Sequence, residues 1–427
     1  MIFRGCDVHI KNQVLGNALI YLVANVFNAA IPFILLPILT RVLSPSDYGV
    51  VSMFLVMLSI FSAVVGLSMN GVISIRYFQL GRAQLAEYIS TITIMLVFTT
   101  FVSIAAVILA GDWMASTTGV PVGWLIVAVI VAGVQFVVNI KLTLLQVEGK
   151  AKKFGVLQVS QSSINAIASL WLVLIAGMAW QGRVLGHALS VGLLGLVVML
   201  WMSRDKLFVK PHAWREYGKD AVRFGLPLIP HAIGGWLLIA GDRFIVKENL
   251  GLADTGIYMA AMQVGMGLHM AYEAFFRSWH PAITKSVIKD EVKNRKLLVL
   301  SVYKVVSGAF LALSIYCLLI WLIYPWLVGE RFSAGIWIAL IFAVSAFFGA
   351  CYYSTAIFMH IQNRNDLLAI NTFVSGGIGL VLSFILCRDF GLVGVAVGML
   401  IGKILAFIFC WISANHVFPM PWLRPFS

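Results

Sequence analysis

Apolar runs of about twenty or more residues, recurring along the chain with short polar gaps, constrain this sequence more than any motif does. A helix rises 1.5 Å per residue, so about 20 apolar residues cross a hydrocarbon core of about 30 Å. The strands of a transmembrane barrel would instead alternate apolar and polar over about 10 residues, and these runs do not. The expectation is an all-α polytopic membrane protein. Composition agrees: 61% of the 427 residues are hydrophobic and 11% are charged, against about 25% charged in a soluble chain.

Twelve apolar helices are expected, near residues 14–40, 48–74, 89–110, 121–146, 154–178, 183–203, 225–247, 254–278, 297–323, 333–360, 366–387 and 391–414. They divide into a six-helix half over 1–203, a polar linker over 204–224 and a second six-helix half over 225–427. An even number of spans puts both termini on one side. Lys and Arg crowd that side, at Lys150, Lys152 and Lys153, along the linker, and in the connector from His280 to Lys296. The opposite ends and loops hold Arg41, Arg183, Arg243, Lys247, Arg331 and Arg388. By the positive-inside rule both termini and the linker are cytoplasmic. The same rule explains a formal net charge of +13 without nucleic acid as a partner. An anionic substrate is a second explanation, compatible with the first.

The five cysteines make no CxxC or other metal spacing and read as apolar packing residues. The first apolar block is too long for a cleavable signal peptide. No metal-ligand cluster, phosphate-binding glycine loop or nucleophile elbow appears. No metal, cofactor or enzymatic activity is therefore expected. His280-Pro281 reads as a helix stop.

The stretch Pro32–Gly49 ends one apolar helix, carries Arg41 at its exit and starts the next helix at once. A matching device follows, in which Gly241-Asp242-Arg243 ends a helix and Thr255-Gly256-Ile257-Tyr258 opens the next. Gly49 aligns with Gly256 at an offset of 207, and Gly186 with Gly394 at 208. Six helices per half make the halves parallel repeats, an architecture suited to alternating access around a central cavity.

Several polar positions stand out. Asn17, Tyr21, Asn25, Asn28 and Pro32 share an arc of about 80° on the first helix. That face either lines a water-filled cavity or makes interhelical hydrogen bonds. Met259, Met262, Met266, Met270, Glu273 and Arg277 share an arc of about 60° on the eighth. This is either an adaptable cavity wall with a charged inner gate or a packing stripe capped by an i,i+4 ion pair. His231 and Asp242 share a face of the seventh helix, behind Pro227 and Pro230, with Arg243 about 100° round. Asp242 and Arg243 are either interfacial or at the outer mouth of a cavity. Asp242 and Glu273 are the candidates for ion coupling.

Lys403 is the clearest intramembrane charge, and such a lysine is functional by default. It lies about 100° from Gly402, off the seam of Gly391, Gly394, Gly398 and Gly402. It faces the central cavity or snorkels from a tilted helix. Lys141 and Lys304 read as interfacial, and Trp321, Tyr324 and Trp326 as interfacial anchors.

Leu36-Pro37-Ile38-Leu39-Thr40-Arg41-Val42-Leu43-Ser44-Pro45 with Asp47-Tyr48-Gly49 resembles the bacterial polysaccharide-biosynthesis flippases. These are the O-antigen and repeat-unit transporters of the multidrug/oligosaccharidyl-lipid/polysaccharide exporter superfamily. Phe224-Gly225-Leu226-Pro227-Leu228-Ile229-Pro230, Gly241–Ile245, Gly256-Ile257-Tyr258 and the glycines of the twelfth helix extend the resemblance over nearly the whole chain. It implies a flippase that moves an undecaprenyl-pyrophosphate-linked oligosaccharide from the cytoplasmic to the periplasmic leaflet of the bacterial inner membrane by alternating access. Arg41 and Arg243 match the family's motif arginines. Arg76, Arg277, Lys403, Asn25 and Asn28 join them from helix position as residues of a substrate-binding cavity. The partners implied are the lipid-linked substrate, membrane lipid, a proton or sodium ion, and polysaccharide polymerase and chain-length proteins. The alternative is a drug or cation antiporter of the same superfamily, which an excess of Arg and Lys in the cavity disfavours. A membrane glycosyltransferase or polymerase is disfavoured by the short outer loops.

Overall fold

The computed structural model describes residues 2–67, 69–226, 228–289 and 295–422, and the regular structure among them is all helical. The first part of the chain forms α1 (Ile2–Val42), α2 (Pro45–Val65), α3 (Asn70–Gln79), α4 (Arg82–Leu109), α5 (Gly111–Thr118) and α6 (Val122–Val147). There follow α7 (Ala151–Leu170), which runs into a π-helical turn, α8 (Ala179–Arg204) and α9 (Trp214–Gly225). The rest comprises α10 (Leu228–Leu250), α11 (Leu252–Gly265), α12 (Gly267–Lys289), α13 (Arg295–Leu327), α14 (Ile336–Ile361) and α15 (Asn365–Val417). Among the described residues, nine helices are long and apolar enough to cross a membrane. α15 is two of the expected spans joined at Gly391, whose φ of 55° only glycine adopts easily. α10 and the pair α11–α12 occupy the places of the seventh and eighth spans.

The turn between α1 and α2 explains its own sequence. Ser44 Oγ accepts from the Asp47 N–H at 3.1 Å, and Ser44 N–H donates to Asp47 Oδ2 at 3.1 Å. This is a capping box with Pro45 at the first helical position, where a missing N–H costs nothing. At the end of α1, Thr40 Oγ donates to the Leu36 carbonyl at 2.8 Å and Arg41 Nη1 to the Pro37 carbonyl at 2.5 Å. α11 opens alike 207 residues later, with Gly251 before the helix and Asp254 in its first turn.

The first turns of α2 and α11 cross at their glycines. A Cβ on Gly49 would strike the Leu252 carbonyl, and one on Gly256 would strike the Pro45 carbonyl and the Gly49 amide. The contact is reciprocal: each glycine meets the carbonyl four residues before the other.

Four expectations need correction. The second block breaks after Val65, where Leu67 has a φ of 45° and Gly66 is pressed on the Phe136 ring. The eighth block breaks at Met266, because Gly265 is pressed on the backbone of Ala339 in α14. The methionine stripe is therefore split between α11 and α12. Pro281 does not stop a helix. It lies inside α12, whose further turns bury Ile283 and Val287 against Leu298, Val299, Val302 and Phe358. Tyr324 is a core residue, not an interfacial anchor: it is buried and donates to the Phe332 carbonyl.

By packing, the chain forms two compact units, residues 1–43 with 50–237 and residues 44–49 with 238–427. In the first, α6 is the central helix, touching α3, α4, α7 and α8 and burying Leu125, Ala128, Val129 and Ala132. In the second, α14 holds that place, touching α11, α12, α13 and α15. Both helices have 26 residues, and they stand 214 residues apart.

Each unit also contains a helix hairpin closed by the same pairs. In the first, Gly182 lies on the Leu172 carbonyl and Gly186 on Ser169. In the second, Gly394 lies on the Leu386 carbonyl and Gly398 on Ser383. Ser169 and Ser383 each donate to a carbonyl three residues before the glycine they touch, at 3.4 and 2.9 Å. Gly186 therefore corresponds to Gly398, one helical turn from the Gly394 that sequence alignment selects. The seam of Gly394, Gly398 and Gly402 does close-pack, against the first limb of α15.

The linker is not loose. Ser90 of α4 accepts from the Val209 N–H at 2.9 Å and donates to the Leu207 carbonyl at 3.1 Å. Glu87 accepts from His212 N–H at 3.0 Å and Ala213 N–H at 3.4 Å, so a carboxylate caps the positive end of α9.

Candidate functional site

In the first unit the asparagines of α1 meet a polar stripe on α7. Gln158 Nε2 donates to Asn25 Oδ1 at 3.1 Å, and Ser162 Oγ to Asn28 Oδ1 at 2.5 Å. Gln161 reaches Gln135 of α6 at 2.5 Å, and Gln135 reaches Asn139 at 3.0 Å. Asn25 and Asn28 remain solvent-exposed while making these bonds. The stripe continues to Asn165 and Ser169, which accept from Arg183 Nη1 at 2.8 and 3.0 Å. Arg183, an outer-loop residue by charge counting, is buried at the start of α8. Sequence reasoning missed this network. The signal was there, because Gln158, Gln161, Ser162, Asn165 and Ser169 recur at helical spacing on one face.

Arg76 sits on α3 and binds Asp220 of α9 in a fork, Nε to Oδ2 at 3.0 Å and Nη2 to Oδ1 at 2.5 Å. It also touches Gln79. Tyr88 donates to Asp220 Oδ2 at 2.8 Å. Partial burial alone would raise the Asp220 carboxyl, but the Arg76 and Tyr88 hydrogen bonds outweigh it and hold the group below its ordinary 3.8. A depressed folded value gives stability that is present above 3.8 and lost as pH falls through the depressed value. Asp220→Asn should speed hydrogen exchange of the α9 amides about fivefold, a part-exposed pair contributing about 1 kcal/mol. Acidifying below 3.8 should bring on the same effect progressively in the wild type and not in the variant, once the rates are corrected for intrinsic amide exchange.

Lys141, expected at the interface, meets the start of the linker just beyond α8. It is buried, 2.6 Å from Asp205 and 4.3 Å over the Trp201 ring. The end of α8 covers it and supplies its counter-ion.

In the second unit Asp242 and Arg243 are both buried. Arg243 Nη1 lies 3.0 Å from Asp242 Oδ1, Nε 3.0 Å from Met259 Sδ and Nη2 3.3 Å from Met262 Sδ. Tyr258 donates to Asp242 Oδ2 at 2.7 Å. The α11 part of the methionine stripe is thus a soft lining for a buried guanidinium. His231 has no described side chain, and Pro227 lies outside the described residues.

Glu273 and Arg277 of α12 pair at 2.9 Å, largely exposed. Arg41 is exposed at the end of α1. Lys403, in the second limb of α15, is exposed and lies within electrostatic reach of His269 of α12, as does Glu273. His269 packs on Tyr353 of α14 at 6.0 Å between ring centroids. No carboxylate among the described residues lies within 4.0 Å of Lys403. The fold thus brings Lys403, Glu273 and Arg277 to one region, and Asp242 with Arg243 to another. Among the described residues no three His, Cys, Asp or Glu side chains converge as metal ligands would.

Two solved structures share this architecture. An inward-facing multidrug resistance MATE family transporter of the MOP superfamily matches with a TM-score of 0.71 at 16% identity, over 92% of this chain and 94% of that one. The lipid II flippase MurJ, in an inward closed conformation, matches with a TM-score of 0.66 at 13% identity, over 94% and 87%. The protein therefore has the all-α, twelve-helix, two-repeat membrane fold that these two transporters share. Residues 14–287 match the polysaccharide biosynthesis protein family, and the chain belongs to that family. Protein 1 of the Lsg locus of Haemophilus influenzae is 25% identical over 368 residues, 84% of this chain and 87% of that protein.

Proposed function

We propose that the protein is a flippase for an oligosaccharide linked to a polyprenyl pyrophosphate. It works in the bacterial inner membrane with both termini cytoplasmic, and delivers its substrate to the periplasmic leaflet by alternating access. The observation that carries this reading is Lys403, a lysine in an apolar helix whose side chain is exposed and has no carboxylate among the described residues at ion-pair distance. An intramembrane cation without a fixed counter-ion is ready for an anionic ligand, and a pyrophosphate supplies one. Family membership supports a polysaccharide pathway.

Arg41, Asn25 and Asn28 are accessible and are assigned to the headgroup and sugars. Arg76 and Arg243 already bind carboxylates and position helices in this reading. Asp242 and Glu273 are the groups through which a proton or sodium gradient would act. Polymerase and chain-length proteins would take the product on the far side.

Lys403→Ala should lower surface-glycan assembly at least tenfold in a strain that depends on this protein, with normal membrane levels, and Lys403→Arg should restore most of it. Unchanged glycan with altered resistance to organic cations would favour the antiporter reading instead.

A further inference from the structure

A groove of about 530 Å³ runs between α4 and the outward flank of α9, lined by Met95, Trp214, Arg215, Gly218, Lys219, Val222 and Arg223. Its floor is apolar: Trp214, Val222 and Met95 of the membrane-crossing α4. Its rim is cationic, because Arg215, Lys219 and Arg223 recur every four residues along one stripe of the helix. Like charges at that spacing repel one another and destabilise a helix. No carboxylate among the described residues lies within 4.0 Å of any of the three. Asp220, beside Lys219, is bound by Arg76 and Tyr88, and Glu216, beside Arg215, comes within 4.0 Å of none of the three.

We propose that this groove seats an anionic phospholipid of the linker-side leaflet, its phosphate on Arg215, Lys219 and Arg223 and an acyl chain along Trp214, Val222 and Met95. The charge pattern asks for an anion, and the apolar floor asks for a chain attached to it. The Arg215 guanidinium stacks 5.4 Å over the Trp214 ring, at the junction of the two surfaces. Glu87, Ser90 and Asp220 clamp the linker to α4 and α3, so the groove is formed before any lipid arrives. A basic segment near a membrane gains about 1 kcal/mol for each Lys or Arg at an anionic surface, a factor of about five.

The test uses the full chain in nanodiscs of phosphatidylcholine with phosphatidylglycerol, then counts the phosphatidylglycerol retained on transfer to detergent. Arg215→Gln, Lys219→Gln and Arg223→Gln together should lower retention about a hundredfold, each alone about fivefold. Lys206→Gln with Lys210→Gln, which removes exposed linker charge outside the groove, should leave retention unchanged. Brominated phosphatidylglycerol should quench a fluorescence component that Trp214→Phe removes, a readout taken on the fully charged protein. Equal loss in the Lys206/Lys210 variant would overturn the proposal in favour of diffuse attraction. Displacement of the lipid by inorganic phosphate would overturn it in favour of a free-anion site, and absence of the Trp214 component would remove the acyl chain from the groove.

Discussion

Asp242→Ala is expected to destabilise the protein by about 3–5 kcal/mol, the cost of leaving a buried charge without its partner. The guanidinium of Arg243 would keep its methionine contacts and lose its carboxylate, while the Tyr258 hydroxyl would lose its acceptor. Neither residue can turn to water, because both are buried. The mechanism is tested by the double variant. Asp242→Ala with Arg243→Met removes both charges and puts an apolar chain among Met259 and Met262, so it should melt closer to the wild type than Asp242→Ala does. A double variant as unstable as the sum of its parts would show that the pair is not what holds α10 to α11.

Gly256→Val should be nearly as damaging, at about 3 kcal/mol or more. Ordinary overpacking costs about 1–3 kcal/mol because side chains can give way. Here the obstacles are the Pro45 carbonyl and the Gly49 amide, both backbone. Relief requires the first turns of α2 and α11 to separate, taking with them the Tyr48–Gln263 hydrogen bond of 3.0 Å. Gly308→Ala is the control, since nothing lies within 4 Å of a Cβ there. It should be neutral or slightly stabilising, as alanine is in a helix interior. Equal melting of the two variants would remove the crossing from the list of packing determinants.

What the sequence showed depended on how far each property is local. Apolar length is local, so the spans and the capping chemistry of Ser44-Pro45-Ser46-Asp47 were legible. So was the place of Lys403 as a charge inside an apolar helix, because a central lysine needs no partner to be conspicuous. Helix breaks were less legible. Met266 departs from its helix because Gly265 is pressed on α14, some 70 residues later in the chain. The position of a charge along the chain does not reveal its counter-ion. Arg76 finds Asp220 across 144 residues and Lys141 finds Asp205 across 64. The neutral stripe on α7 has no charge to single it out, although its spacing marks one face as clearly as that on α1.

The hairpin pairs also record how the two halves drifted apart after duplication. From the glycine crossing to the central helices the numbering gap grows from 207 to 214. It falls back to 212 across the hairpin turn, between Leu172/Leu386 and Gly182/Gly394. The change inside the hairpin falls in its turn, where a change of length leaves helix contacts alone. Inside the hairpins almost every side chain was free to diverge, but not the glycines that admit a carbonyl or the serines that bond one. A comparison of the halves by overall identity would miss this ancestry. A comparison confined to Leu–Gly and Ser–Gly contacts recovers it.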